Sequence, residues 1–175
     1  MRSAAEQGDE ADAVFFAFRG EGSMSEHAEY IRRAIDLARG ARERGDHPFG
    51  ALLVAGGQIV LEAENTVVSQ GNPTHHAEMN LVQDAWRSLP VEVIRKSTLC
   101  ASTEPCPMCT GAIFWSGIRR VVFSMPARDL GEMAGDKFCG PCKALFDRAD
   151  EKTEVIGPIL AEEGRQVHLG FWTTA

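Results

Sequence analysis

Apolar residues recur at helical spacing through Ile31, Ala34, Ile35, Ala38 and Ala41, with charged positions between them. Ser23-Met24-Ser25-Glu26 just ahead has the capping-box pattern, so the spacing predicts a first helix from about Ser25 to Arg44, ending near Gly45. Two β-prone apolar runs follow, Phe49 to Ala55 and Gln58 to Glu64, and the Gly56-Gly57 pair between them predicts a hairpin turn. Asn72-Pro73-Thr74 marks a loop, and a helical pattern then runs from about His76 to Leu89. Ser97 to Ser102 reads as a short buried strand, Met108 to Ile118 as a helix and Arg119 to Met125 as another strand. That alternation is the rhythm of an α/β layered domain. Lys143 to Arg148 reads as helical and Thr153 to Ile159 as extended, while the remainder through His168 and Trp172 stays unassigned. Without repeats or low-complexity tracts, residues 23–175 read as one domain. Residues 1–22, rich in Ala, Glu, Asp and Gly, read as a tail or loosely attached arm.

Composition narrows the class. Of 175 residues, 44% are hydrophobic and 25% charged, enough for a core without disulfide staples. Lys and Arg total 18 against 25 Asp and Glu, a net charge of −7 that weighs against a broad basic face for nucleic acid or anionic lipid. A local basic groove remains compatible with that balance. Four of the five cysteines fall in two Cys-x-x-Cys pairs, which points to reduced thiols with metal or redox chemistry rather than a secreted disulfide framework. No apolar run approaches about 18 residues, so no transmembrane helix is expected. The first residues make a poor signal peptide, since Arg2 is followed by Glu6, Asp9, Glu10 and Asp12 around one short apolar stretch, Val14–Phe18. The expectation is a cytoplasmic protein.

Two clusters carry chemistry. His76-Ala77-Glu78 opens the second long helix and Pro105-Cys106-Pro107-Met108-Cys109 opens the third. Cys106 and Cys109 are three apart, so at a helix start their sulfurs share one side and can share a metal. A helix N-terminus also favours the thiolate that zinc requires. With the His76 imidazole the set has three protein ligands and one open tetrahedral position, the pattern of a catalytic zinc. Glu78, two residues past a ligand, can flank that position and move protons.

A His-x-Glu followed by Pro-Cys-x-x-Cys is the signature of zinc deaminases acting on nucleobases, and these residues resemble the cytidine deaminase-like superfamily. His47-Pro48-Phe49-Gly50-Ala51, Asn65, Asn72-Pro73-Thr74-His75, Thr103-Glu104 and Gly111-Ala112-Ile113-Phe114-Trp115 make the chain similar to its guanine deaminase and tRNA adenosine deaminase branch, over roughly Ser25 to Arg128. The resemblance implies a three-layer α/β/α sandwich around a five-stranded mixed sheet, one zinc per subunit and a homodimer. It also implies hydrolysis of an exocyclic amine to a carbonyl with release of ammonia, Glu78 acting as the proton shuttle. Asn65 matches a position that bonds the base or sugar, and the Ala77 backbone one that contacts the base. Trp115 matches a pocket wall and Phe49 a second one, although each also reads as a core aromatic. An acidic residue set against guanine suits its ring N–H donors, and Asp136 is the candidate, with Glu132 next. His168, Phe171 and Trp172 read either as a lid over this or a partner's site, or as terminal aromatics packed on the core.

Other readings compete. Cys106 and Cys109 can join Cys139 and Cys142 in a four-cysteine structural zinc site, which leaves His76 and Glu78 unexplained. Phe138-Cys139-Gly140-Pro141-Cys142-Lys143 looks like a thioredoxin active site, yet only 33 residues follow Cys142, too few for that fold. His27-Ala28-Glu29 repeats the catalytic letters without the loop before or the strand and helix after, and is assigned to the surface. His75 is given a loop or supporting role, and Cys100 a place in the core. The reading that results is zinc-dependent deamination of a free purine base or nucleoside, guanine to xanthine foremost or guanosine. The alternatives are deamination of tRNA adenosine, of cytosine, cytidine or another amino-heterocycle, and a non-enzymatic zinc module.

Overall fold

A computed structural model of the chain describes residues 24–135 and 140–172. The expected hairpin forms one edge of the sheet: β1 (Gly50–Ala55) and β2 (Gln58–Glu64) pair antiparallel. Gly56 and Gly57 between them have φ of 58° and 76°, the left-handed pair that a tight hairpin turn needs and that glycine adopts without strain. β3 (Thr98–Thr103) runs antiparallel to β1, and β4 (Arg120–Met125) and β5 (Glu154–Ile156) continue parallel to it, in the order β2-β1-β3-β4-β5.

The strands are covered on both faces because successive side chains alternate between two cores. Leu52, Val54, Cys100 and Val122 pack with Ile31, Ile35 and Ala38 of α1 (Met24–Arg44) and Val167 of α8 (Ala161–His168). Leu53, Leu99, Ala101 and Val121 pack instead with Leu81 and Ala85 of α3 (Ala77–Ser88), Ile113 of α5 (Pro107–Ser116) and Phe146 of α7 (Cys142–Phe146). The result is a three-layer α/β/α sandwich. Two glycines set its thickness. A Cβ on Gly50 would sit 2.4 Å from the Ala34 carbonyl oxygen, and one on Gly164 would sit 2.5 Å from Ser124 Oγ. Helix α1 therefore lies directly on β1, and α8 directly on β4. No helix is long and apolar enough to cross a membrane among the described residues.

The predicted strands and long helices form within a residue or two of their expected ends, except that β5 is shorter and α7 stops at Phe146. Four helices were not anticipated: α2 (Val67–Gln70), α4 (Val91–Arg95), α6 (Ala127–Ala134) and α8. The first two are too short to show a period. Helix α8 buries only Gly164, Val167 and His168, a stripe too thin to read as amphipathic. The assignment of His27-Ala28-Glu29 to the surface holds for exposed Glu29 and fails for His27, which is buried at 7% exposure in the first turns of α1. The 1–22 segment read as a tail lies outside the described residues.

Candidate active site

Two helix starts converge on one point. His76 is the N-cap of α3 and Cys106 the N-cap of α5, and neither side chain makes a capping bond. An N-cap side chain ordinarily accepts from an amide of the first turn; these two point elsewhere. Pro107 at the first helical position has no N–H to leave unsatisfied and has its φ preset for the helix, so α5 starts cleanly at the ligand pair. Nδ1 of His76 lies 3.6 Å from Cys109 Sγ and 3.7 Å from Cys106 Sγ, and the three donor atoms fall within 4.8 Å of one another. Tetrahedral zinc with ordinary Zn–N and Zn–S bonds separates such atoms by about 3.5 Å. The donor set therefore fits zinc in spacing and in chemistry, and it leaves one position for a reactant. Cys142 takes no part in this cluster among the described residues, and Cys139 lies outside them, so the four-cysteine site gains no support.

The electrostatics suit the same use. The Cys106 thiol is pushed down to about 4, first because the Cys109 thiol bonds to its sulfur and then because His76 does. Cys109 moves the other way for the same reason, with burial adding to it. Glu78 is buried beside this pair, its Oε2 accepting from Cys109 Sγ at 3.5 Å. Burial, and then the charge on Cys106, raise its carboxyl above the usual range. Cys100 is buried in β3 and pushed up to about 12 by desolvation, an inert core thiol.

His76, Glu78 and Cys106 line a cavity of about 270 Å³ with Thr103, Glu104 and His47 as its other polar groups. Its apolar walls are Phe49, Ala127, Leu130, Ala134 and Trp172. The Phe49 ring lies nearly parallel to the His76 ring, at 11° and 6.4 Å. Ala77 is fully buried between ligand and carboxylate. Asn65 is also fully buried; its Oδ1 accepts from the Val67 N–H at 3.0 Å, while Nδ2 has no partner. An unmade bond of that kind costs about 1–3 kcal/mol and suits a group kept for a ligand. His75 stays in the loop, its Nε2 2.8 Å from Asn72 Nδ2.

Trp115 does not join this group. It is 81% exposed, beside half-exposed Trp86 on a different surface. Six residues beyond Cys109 carry it about 9 Å along α5, out of reach of the cavity. Glu132 is exposed, and Asp136 lies outside the described residues. Two contributions were missed. Glu104 accepts from the Ala127 N–H at 3.0 Å and the Cys142 N–H at 2.9 Å, tying the starts of α6 and α7 to the loop before the cysteines. The signal was there, an acid immediately before Pro105-Cys106, but its partners were not. Helix α6 itself, with Leu130 and Ala134 in the wall, is the other.

Known proteins resemble this chain. The family described as the cytidine and deoxycytidylate deaminase zinc-binding region matches residues 24–125. A probable cytosine deaminase of Schizosaccharomyces pombe is 37% identical over 153 residues, covering 82% of this chain and 90% of the relative. A tRNA-specific adenosine deaminase of Bacillus subtilis is 32% identical over 145 residues, covering 80% and 84%. The solved structure of guanine deaminase from Bacillus subtilis superposes with a TM-score of 0.57 at 30% identity, over 71% of this chain and 77% of that one.

Proposed function

The chain belongs to the cytidine and deoxycytidylate deaminase zinc-binding family and is a zinc-dependent hydrolytic deaminase; within that class we propose that it acts on a small amino-heterocycle, a free purine base or nucleoside, with guanine to xanthine as the first reaction. His76, Cys106 and Cys109 would hold the zinc, which when bound supplies the Lewis acidity that makes water a nucleophile near neutral pH. Glu78 takes the proton from the attacking water and delivers it to the ring nitrogen beside the amine. As the carbonyl forms, Glu78 takes the remaining proton from the hydroxyl now on the ring carbon and hands it to the departing ammonia. Phe49 and Trp172, which line the cavity, hold the flat ring. Ala77 and Asn65 are not among the lining residues; in this reading the Ala77 backbone borders the ring edge, and the buried, unpaired Nδ2 of Asn65 turns to a ring or exocyclic acceptor when substrate binds.

The observation that carries this reading is the small cavity lined by Glu78 and by two of the three metal donors, His76 and Cys106. At about 270 Å³ it stands at the small end of ligand sites, which run to roughly 300–1,000 Å³. That suits one heterocycle better than a nucleotide presented by a folded tRNA, as does the net charge of −7. Guanine follows the guanine deaminase of known structure, with Asp136 as the expected acidic contact. Cytosine is the second reading, favoured by the near full-length match to the Schizosaccharomyces pombe protein. Ammonia release by the zinc-loaded protein decides among them, measured on guanine, guanosine, adenine, cytosine, cytidine and a tRNA anticodon stem-loop. The expected result is turnover of guanine with an inert stem-loop; turnover of the stem-loop alone overturns the proposal.

For the homodimer, we assign the face bearing Trp86 and Trp115, whose exposed indoles border a cavity of about 520 Å³. Exposed aromatics of this kind mark association surfaces. Light scattering on Trp115→Glu should show dissociation if that face is the interface.

A further inference from the structure

We propose that Arg42, on α1 and outside the cavity, is a positioning residue that latches the C-terminal residues 169–172 over the cavity and so restricts the substrate to a bare heterocycle without a sugar; this rests on the deaminase reading above. The Arg42 guanidinium donates from Nη1 to the Val167 carbonyl at 2.6 Å and from Nη2 to the Leu169 carbonyl at 2.9 Å. Both carbonyls lie at the C-terminal end of α8, where a helix has acceptors without internal partners and a cation is favoured. The planar fork of arginine sets one N–H against each carbonyl in a fixed geometry, which the single ammonium of a lysine does not reproduce. The same guanidinium lies over the Phe171 ring, 5.9 Å from its centroid. One side chain of α1 thus touches three alternate residues of the chain end.

From there the order passes to the cavity. Phe171 meets Trp172 edge to face at 4.8 Å, and the Trp172 indole N–H donates to His168 Nδ1 at 3.2 Å. That bond requires a bare Nδ1, so the His168 proton sits on Nε2, 3.2 Å from Thr103 Oγ1 on β3. Trp172 is therefore pinned at its polar end while its rings lean on Phe49 and His47, with centroids 6.0 and 5.5 Å away. All three line the cavity. Residues 169–172 belong to no helix or strand; two turn bonds, from the Leu169 amide to Gln166 and from the Phe171 amide to His168, act with these side-chain bonds to hold the roof. With the roof in place, the space above the metal donors takes a ring; a ribose on that ring would compete with Trp172 for room.

The test compares zinc-loaded wild type with Arg42→Gln, Arg42→Lys and Trp172→Ala. Arg42→Gln should raise KM for the free base about tenfold, the effect of losing a charge-assisted bond, with kcat changed little. It should raise the nucleoside-to-base ratio of kcat/KM and speed amide hydrogen exchange at residues 169–172. Arg42→Lys should recover part of each effect. Trp172→Ala, which removes the roof without disturbing α1, should match the altered ratio, and it decides the matter if Arg42→Gln does not fold. Faster exchange with an unchanged ratio, or unchanged exchange, overturns the proposal. If wild type deaminates neither base nor nucleoside, the functional reading and the selectivity fall together, and the exchange comparison still tells whether Arg42 holds the roof.

Discussion

The chain spells His-Ala-Glu twice, at residues 27–29 and 76–78, and the two copies have opposite fates. In α1 all three residues are helical, so His27 and Glu29, two apart, point to opposite sides. His27 is buried with Nδ1 unpaired, and Glu29 is left in solvent. In the second copy the helix begins inside the triplet. His76 is the N-cap with extended backbone, φ −66° and ψ 156°, and Glu78 is the second helical residue. The change of direction lets both side chains face one cavity, where the start of α5 brings two thiols to meet them. Three letters do not make a site; a helix boundary between them, and a second boundary across from it, do.

Substitutions at the paired positions test this directly, and the largest effect belongs to the carboxylates. Glu78→Gln should lower kcat by about 10³-fold or more with zinc still bound, at the upper part of the range for a general acid–base, and Glu29→Gln should match wild type in the same ammonia assay. Metal content comes next. His76→Ala should lose most of its zinc by elemental analysis, while His27→Ala keeps one equivalent; equal loss in both would break the contrast.

A third histidine sharpens it. His168 is buried like His27 but has partners on both nitrogens, and burial, with Arg42 adding to it, pushes the ring from 6.5 down to about 4. The unfolded chain therefore binds a proton before the folded one does. The stability that neutral His168 contributes is whole above about pH 6.5 and is lost as pH falls toward 4, on the order of 3 kcal/mol in all. Arg42 is the charged group beside it, and His47, in ring contact with Trp172, titrates nearby. Urea unfolding of wild type and His168→Gln across pH 6.5 to 4.5 should give curves that converge toward acid; parallel curves would sink the assignment. The smallest effect is expected at His27→Leu, which removes an unpaired buried nitrogen and should raise stability by about 1 kcal/mol.

What the sequence disclosed follows the range of the interactions involved. The strands, the hairpin and the long helices were legible because alternation, helical period and the Gly56-Gly57 pair are local signals. The metal donors and Glu78 were legible because two short motifs at helix starts contain them entirely. Trp115 stands apart from this chain's cavity because a motif neighbour on α5 is not a spatial neighbour once the helix has carried it onward. Glu104 and Arg42 were passed over because their partners lie far along the chain, at Cys142 and at Val167 and Leu169. Nothing near either residue announces a contact with those segments. The buried face of His27 depends likewise on what packs against α1.

The cavity wall has a consequence for how such a protein can change. His76, Glu78, Cys106 and Cys109 come from residues 76–109, whereas Leu130, Ala134 and Trp172 come from later parts of the chain. Substitutions in α6 or the final residues can therefore enlarge, narrow or recharge the cavity and leave Glu78 and the metal donors untouched. Under the proposed function, a wall of that kind lets the preferred heterocycle change while the residues assigned to the chemistry stay in place.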